Sequence, residues 1–332
     1  MKIPGLVLAA ALAAVLCVPA SAQKMLKLGI GLSDDHPQGV SAKKFAELVE
    51  QKSGGKVKAT LYASGALGND VTMISSVRAG TQEMVVPDTS TLVGIVKDFG
   101  VLNFPMTFQS EAEADALLDG PFGQKLLKQL EDKGLIGLGF WENGFRNLTN
   151  SRRAVTKADD IAGLKVRVIQ NPLFIETFKA LGANPTPMAF TELYSALESK
   201  AVDGQENPNA TILASKFNEV QKYVAQTRHM YSVWALLLSK KTWDAMSPDE
   251  QKAVTEAARE ATLFERKTIR AFSITALDEL KKKGMEVTEL SADEQAKMRA
   301  KLQPVIAKFS TEFGEGPSKE MLDGLAAIRA KK

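Results

Sequence analysis

Leu164-Lys165-Val166-Arg167-Val168-Ile169 reads as a strand, and Pro172 opens a helix almost at once, running over 172–181. A strand that feeds a helix is half of a crossover unit. Further along, 191–198 reads as another helix and 202–205 as the next strand, while Thr156-Lys157-Ala158-Asp159 caps a short turn just upstream. The same alternation stands in the first third of the chain. A strand over 25–32 precedes a helix over 41–52, which carries Phe45, Leu48 and Val49 at helical spacing and stops at Ser53-Gly54-Gly55. A strand over 57–62, a helix over 70–79 stopped by Gly80, and a strand over 83–86 follow. Between the two units, Ser110 with Glu113 resembles a capping box, and 135–140 looks like a strand. Two crossover units in series imply an α/β fold with open, mainly parallel sheets.

Length agrees. The chain has 332 residues, which lies where single cores stop growing and chains divide in two. From Ser247-Pro248-Asp249-Glu250 there is an N-cap, a proline at the first helical position and a glutamate at the third. Neither glycine nor proline recurs until Gly284. About 36 residues at 1.5 Å each make a helix of about 54 Å, longer than one lobe is wide. Such a helix ties two lobes together, and Ser291 with Glu294 opens a last helix beyond it. The expected division is lobe I over 23–145 and 233–272, and lobe II over 146–232 and 273–332.

The first residues bear on compartment. Lys2, an apolar stretch over 6–18 and the small residues Ala20-Ser21-Ala22 form a secretory signal peptide over 1–22. The apolar stretch is too short to span a bilayer, and Leu16 ahead of Cys17 argues against lipoprotein attachment. Cleavage after Ala22 removes the one cysteine, so disulfides, thiolate nucleophiles and cysteine-based zinc sites are excluded. An exported protein of the periplasm is expected.

Net charge is +3 with 24% charged residues, and basic residues are scattered, so nucleic-acid binding is excluded. Two histidines and no hydrolase, zinc-protease, P-loop or calcium-loop spacing leave catalysis and metal binding without their usual residues. No cofactor is expected, because Gly29-Ile30-Gly31 lacks the third glycine of a dinucleotide fingerprint. Arg167 stands out instead, alternating with Val166 and Val168 inside an apolar strand. Two roles are open to it: an anion ligand at a strand's carboxyl end, or a structural ion pair with a nearby Asp or Glu. Asn207 precedes Pro208, which confines its backbone to extended geometry. It marks either a ligand contact or a plain turn.

Three stretches in order carry a resemblance: Gly163-Leu164-Lys165-Val166-Arg167-Val168, then Leu181-Gly182-Ala183-Asn184-Pro185-Thr186-Pro187-Met188-Ala189-Phe190, then Val202-Asp203-Gly204-Gln205-Glu206-Asn207-Pro208. Together with Leu61-Tyr62, Leu67-Gly68 and the long helix, they resemble the DctP-type solute-binding proteins of TRAP transporters. The resemblance implies a two-lobe periplasmic binding protein, a monomer, that hands a small carboxylate to a membrane permease of one small and one large subunit. It implies that Arg167 clamps the ligand carboxylate and that Asn207 bonds the same group. A planar guanidinium suits that task, because its fork donates two parallel hydrogen bonds. Arg146 lies one residue out of step with a second family arginine and is expected to touch the ligand. Asp88 stands where a polar contact is expected, and Phe190 where an apolar wall faces the ligand. Gln170 and Trp141, with His229 and Tyr231, adjoin matched segments. Gly31 replaces an asparagine of the sialic-acid binders, so the loop Ser33-Asp34-Asp35-His36-Pro37 is expected to supply hydroxyl contacts, His36 among them. The expected ligand is a hydroxylated monocarboxylate such as a uronate or aldonate, with Asp88, Asp34 and Asn143 suited to its hydroxyls. The rival is a C4-dicarboxylate whose second charge falls to Arg146 and Arg152. An exported enzyme and a sensor subunit are the remaining classes.

Overall fold

The computed structural model describes residues 23–331; the signal peptide expected over 1–22 lies outside them. In chain order the elements are β1 (Lys24–Gly29), α1 (Pro37–Lys52), β2 (Val57–Tyr62), α2 (Asp70–Ala79), β3 (Met84–Val85), α3 (Glu111–Leu118), α4 (Pro121–Gln129) and β4 (Leu135–Asn150). There follow β5 (Lys165–Val168), α5 (Pro172–Ala180), β6 (Asn184–Pro187), α6 (Leu193–Glu198), β7 (Gly204–Pro208), α7 (Asn209–Ala214) and β8 (Tyr223–Ser239). The chain closes with α8 (Lys240–Asp244), α9 (Pro248–Lys282), β9 (Glu286–Glu289), α10 (Ala292–Phe313) and α11 (Glu315–Arg329).

Both crossover units are present, and each builds one end of a single sheet of order β2-β1-β3-β8-β4-β7-β5-β6, with β9 added beside β8. The pairs β1/β2, β1/β3, β5/β6, β5/β7 and β8/β9 are parallel, while β3/β8, β4/β8 and β4/β7 are antiparallel. The lobes therefore share one continuous sheet, joined through β4 and β8. At about 3.3 Å per residue these two strands reach about 50 Å. The sequence reading stopped β4 at Phe140, yet the strand continues to Asn150 through register shifts between Gly137/Gly139, Glu142/Gly144 and Arg146/Leu148. Bulges of this kind bend a strand without ending it.

The long helix is α9. Its Ser247 side chain accepts from the Glu250 amide while Glu250 reaches back to the Ser247 amide, and Lys283 closes it after 35 residues. It packs on α1 from the first unit, on β4, and on α7 from the second, so it ties the two lobes as expected. The single last helix is two: Gly314, at φ 115°, separates α10 from α11. Among the described residues no helix is long and apolar enough to cross a membrane.

Candidate functional site

The carboxyl ends of β1, β3, β5 and β7 converge on one cavity between the two crossover units, the position where open α/β sheets hold ligands. It encloses about 650 Å³ including its open mouth. Gly31 and Leu32 follow β1, Asp88 follows β3, Arg167 stands on β5 and Asn207 on β7. Arg146 of β4 lies opposite Pro208, next to the Asn147–Asn207 pair. Six of the eight expected residues line it: Arg167, Asn207, Arg146, Asp88, Phe190 and Gln170.

Arg167 is 2% exposed. Its Nε and Nη2 both donate to the Met188 carbonyl, at 3.0 and 2.7 Å, and the guanidinium lies 5.9 Å from the Phe190 ring centre. Those bonds use the Nε and Nη2 side of the guanidinium; among the described residues Nη1 makes no hydrogen bond, and no carboxylate lies within ion-pair distance of the group. Burial pulls its pKa down to about 10, against the pull of Glu206. A buried cation without a bonded anion carries a large desolvation cost. Among the described residues Arg167 makes no direct ion pair, which weighs against the structural-pair alternative.

Arg146 is different. Fully buried, it donates to both Glu206 carboxylate oxygens, to the Glu206 carbonyl at 2.7 Å, to Asn207 Oδ1 at 3.2 Å and to Ser232 Oγ at 3.0 Å. Burial lowers its pKa, but Glu206 more than restores it and holds it above the ordinary value. His229 supports the same carboxylate at 3.1 Å from behind. Arg146 thus reaches the cavity already neutralised. Asn207 turns its Nδ2 to Gln205 Oε1 at 2.6 Å, so it is held at a strand end and not in a turn.

Two carboxylates line the same cavity, and one of them, Asp88, lies 3.8 Å from Arg146 Nη1. Asp88 caps a short 3-10 turn, accepting from the Ser90 amide and hydroxyl at 3.0 and 2.6 Å, and its second oxygen lies 3.4 Å from Asn143 Nδ2. Asp70, the first residue of α2, accepts from the Asp88 amide at 3.0 Å. Burial and the nearby Asp88 carboxylate outweigh that bond and Arg167, and push the Asp70 pKa up to about 6. The sequence reading missed Asp70. Its available signal was position, since Asn69-Asp70 opens a helix directly after a strand and loop, with Asn69 as the N-cap.

Two expected contacts are corrected. Trp141 is fully buried in the core with its Nε1 donating to Thr262 Oγ1 at 3.2 Å, and it faces α9 instead of the cavity. His36 is the N-cap of α1: its Nδ1 accepts from the Gln38 amide at 2.9 Å, and Nε2 meets Thr211 Oγ1 at 3.3 Å. It therefore supports Thr211, which does line the cavity, without reaching it. Burial lowers its pKa to about 3, so the ring is neutral. Asp34 pairs with Lys43 at the surface and Arg152 lies exposed beside Asp203, so neither enters the site. Tyr231 packs between Phe108 and Phe145.

Residues 28–312 match the family model of the bacterial extracellular solute-binding proteins, family 7, called DctP, and the chain belongs to that family. It is accordingly a binding protein of the TRAP type and not an enzyme. The crystal structure of the sugar acid binding protein of Advenella mimigardefordensis in complex with galactonate is similar at a TM-score of 0.91 and 43% identity, covering 92% of this chain and 99% of that one. The 2,3-diketo-L-gulonate-binding periplasmic protein of Escherichia coli K12 is 38% identical over 266 residues, 80% of this chain and 81% of its own. The C4-dicarboxylate-binding periplasmic protein of Rhodobacter capsulatus is 33% identical over 328 residues, 98% and 96%.

Proposed function

We propose that this chain captures a hydroxylated monocarboxylate, of the aldonate or uronate kind, in the periplasm and delivers it to a two-subunit TRAP permease. The observation that carries this reading is a buried Arg167 with Nη1 unbonded among the described residues, lining a cavity that Asp70 and Asp88 also line. One carboxylate of the ligand completes the Arg167 ion pair in a bidentate manner. Asn207, bridged to Arg146, borders the same position. Hydroxyl groups then donate to the acidic wall, and Phe190 supplies an apolar face.

A second carboxylate would meet Asp70 and Asp88 with no free cation. Arg146 is already paired with Glu206 and Arg152 lies outside the cavity, which weighs against the C4-dicarboxylate reading. The galactonate and diketo-gulonate binders, at 43% and 38% identity, are more similar to this chain than the C4-dicarboxylate binder at 33%, which supports the reading. For motion, we take lobe I as 23–145 with 233–272 and lobe II as 146–232 with 273–332, closing on the ligand by a hinge, since a bound acid that bridges both lobes favours the closed state.

Calorimetric titration of ligand-free protein with galactonate, glucuronate, malate and succinate tests the proposal. Tight binding of a sugar acid with succinate and malate weaker by tenfold or more is expected. Binding of dicarboxylates alone overturns it.

A further inference from the structure

Gln38 is the second residue of α1, directly after the His36 cap and Pro37. It is 1% exposed, and it belongs to the cavity wall. Its Nε2 donates to the Val86 carbonyl at 3.1 Å. That bond fixes which end of the amide points where, because the reversed amide would set two oxygens against each other. Oε1 is left with no hydrogen-bond partner among the described residues. Buried acceptors are seldom left unmatched, and an unmatched one in a ligand cavity wall calls for an explanation. Gly31 belongs to the same wall. Gly31 has no side chain, and a Cβ built there would meet only Asp70 Oδ1, at 3.4 Å.

We infer that Gln38 Oε1 accepts a hydrogen bond from one hydroxyl of the bound acid, which makes Gln38 a specificity-determining residue for hydroxylated over deoxygenated ligands. An ionised carboxylate has no proton to give, so the same atom disfavours a second acid group at this end. The inference rests on the sugar-acid reading above and adds to it the residue that recognises a hydroxyl. Specificity of this kind is strong because a ligand lacking the hydroxyl leaves the acceptor buried and unpaired.

The test titrates a six-carbon aldonate and its monodeoxy analogues into the wild type and into Gln38→Met, which keeps the length of the side chain and removes the amide. In the wild type one monodeoxy analogue should bind about 5- to 150-fold more weakly than the parent acid. In Gln38→Met the parent and that analogue should bind alike. Persistence of the wild-type preference in Gln38→Met removes Gln38 from the recognition while leaving the sugar-acid reading intact. Failure of the wild type to bind any aldonate, with dicarboxylates bound instead, removes both. If Gln38→Met does not fold, a crystal structure of the wild-type aldonate complex decides: a ligand hydroxyl within about 3.2 Å of Oε1 supports the assignment, and Oε1 meeting only carbon or water overturns it.

Discussion

Replacing Arg167 by alanine separates a ligand-binding cation from a structural one, because the two roles predict opposite balances of affinity and stability. Among the described residues Arg167 donates only to the Met188 carbonyl. Its removal strands that carbonyl, at about 1–3 kcal/mol, but also relieves a buried charge with no bonded anion, at several kcal/mol. The two terms offset, so ligand-free stability should change by less than about 2 kcal/mol. For the complex nothing offsets the loss. The ligand carboxylate is desolvated without its partner, which costs about 2–5 kcal/mol, or roughly 30- to several-thousand-fold in affinity. Arg167→Lys should lose most of this as well, since an ammonium cannot present the fork. Calorimetry with the cognate sugar acid and denaturant melts of the ligand-free variants supply the two readouts. A loss of affinity below tenfold, or a loss of ligand-free stability as large as the loss in binding, refutes the reasoning.

Asp70 gives a pH signature. Its native pKa of about 6 exceeds the ordinary 3.8, so between these values the native state holds a proton that the unfolded chain has released, and its contribution to stability falls as pH rises. Asp70→Asn should therefore be more stable than wild type at pH 8 and no more stable at pH 4; equal melting temperatures at pH 8 count against the shift. Glu206→Gln leaves the buried Arg146 with only the more distant Asp88 carboxylate, at 3.8 Å, and should cost about 3–5 kcal/mol in urea unfolding, whereas a change under 1 kcal/mol would mean the pair is not buried as described. Asp88→Asn removes one of the two acidic groups that line the cavity, and the sugar-acid to succinate affinity ratio should fall by several-fold; a rise in that ratio contradicts the repulsion argument. Burial drives the Glu265 pKa well above the carboxylic range, so Glu265→Gln should leave stability at pH 7 unchanged or raised, and a loss above 2 kcal/mol shows that the acid is ionised there.

The helices with caps and the strands of the crossover units were legible because their signals are local. Ser110, Ser247 and Ser291 each cap the helix expected of them, and α9 begins and ends within a residue or two of its reading. The joining of two lobes by β4 and β8 was not legible. β8 pairs with β3 of the first unit and with β4, which in turn pairs with β7 of the second, and pairing at such distance leaves no trace in a local period. Arg167 could be found because a charge inside an apolar strand is a local anomaly. Trp141 could not be placed, since which face of a bulged strand looks outward depends on the register shifts that only the folded sheet fixes, and His36 could not, since a loop residue that caps a helix has no period to read. Asp70 and Gln38 escaped because a polar residue in the first turn of a helix looks the same whether it meets water or a cavity.

A crystal structure of the protein with a bound six-carbon sugar acid tests the central claim most directly. The account predicts the ligand carboxylate bidentate on the Nη1 and Nη2 fork of Arg167, with the Arg146–Glu206 pair undisturbed and the hydroxyls turned toward Asp70 and Asp88. A carboxylate seated elsewhere, with the Arg167 fork still unoccupied, would contradict it.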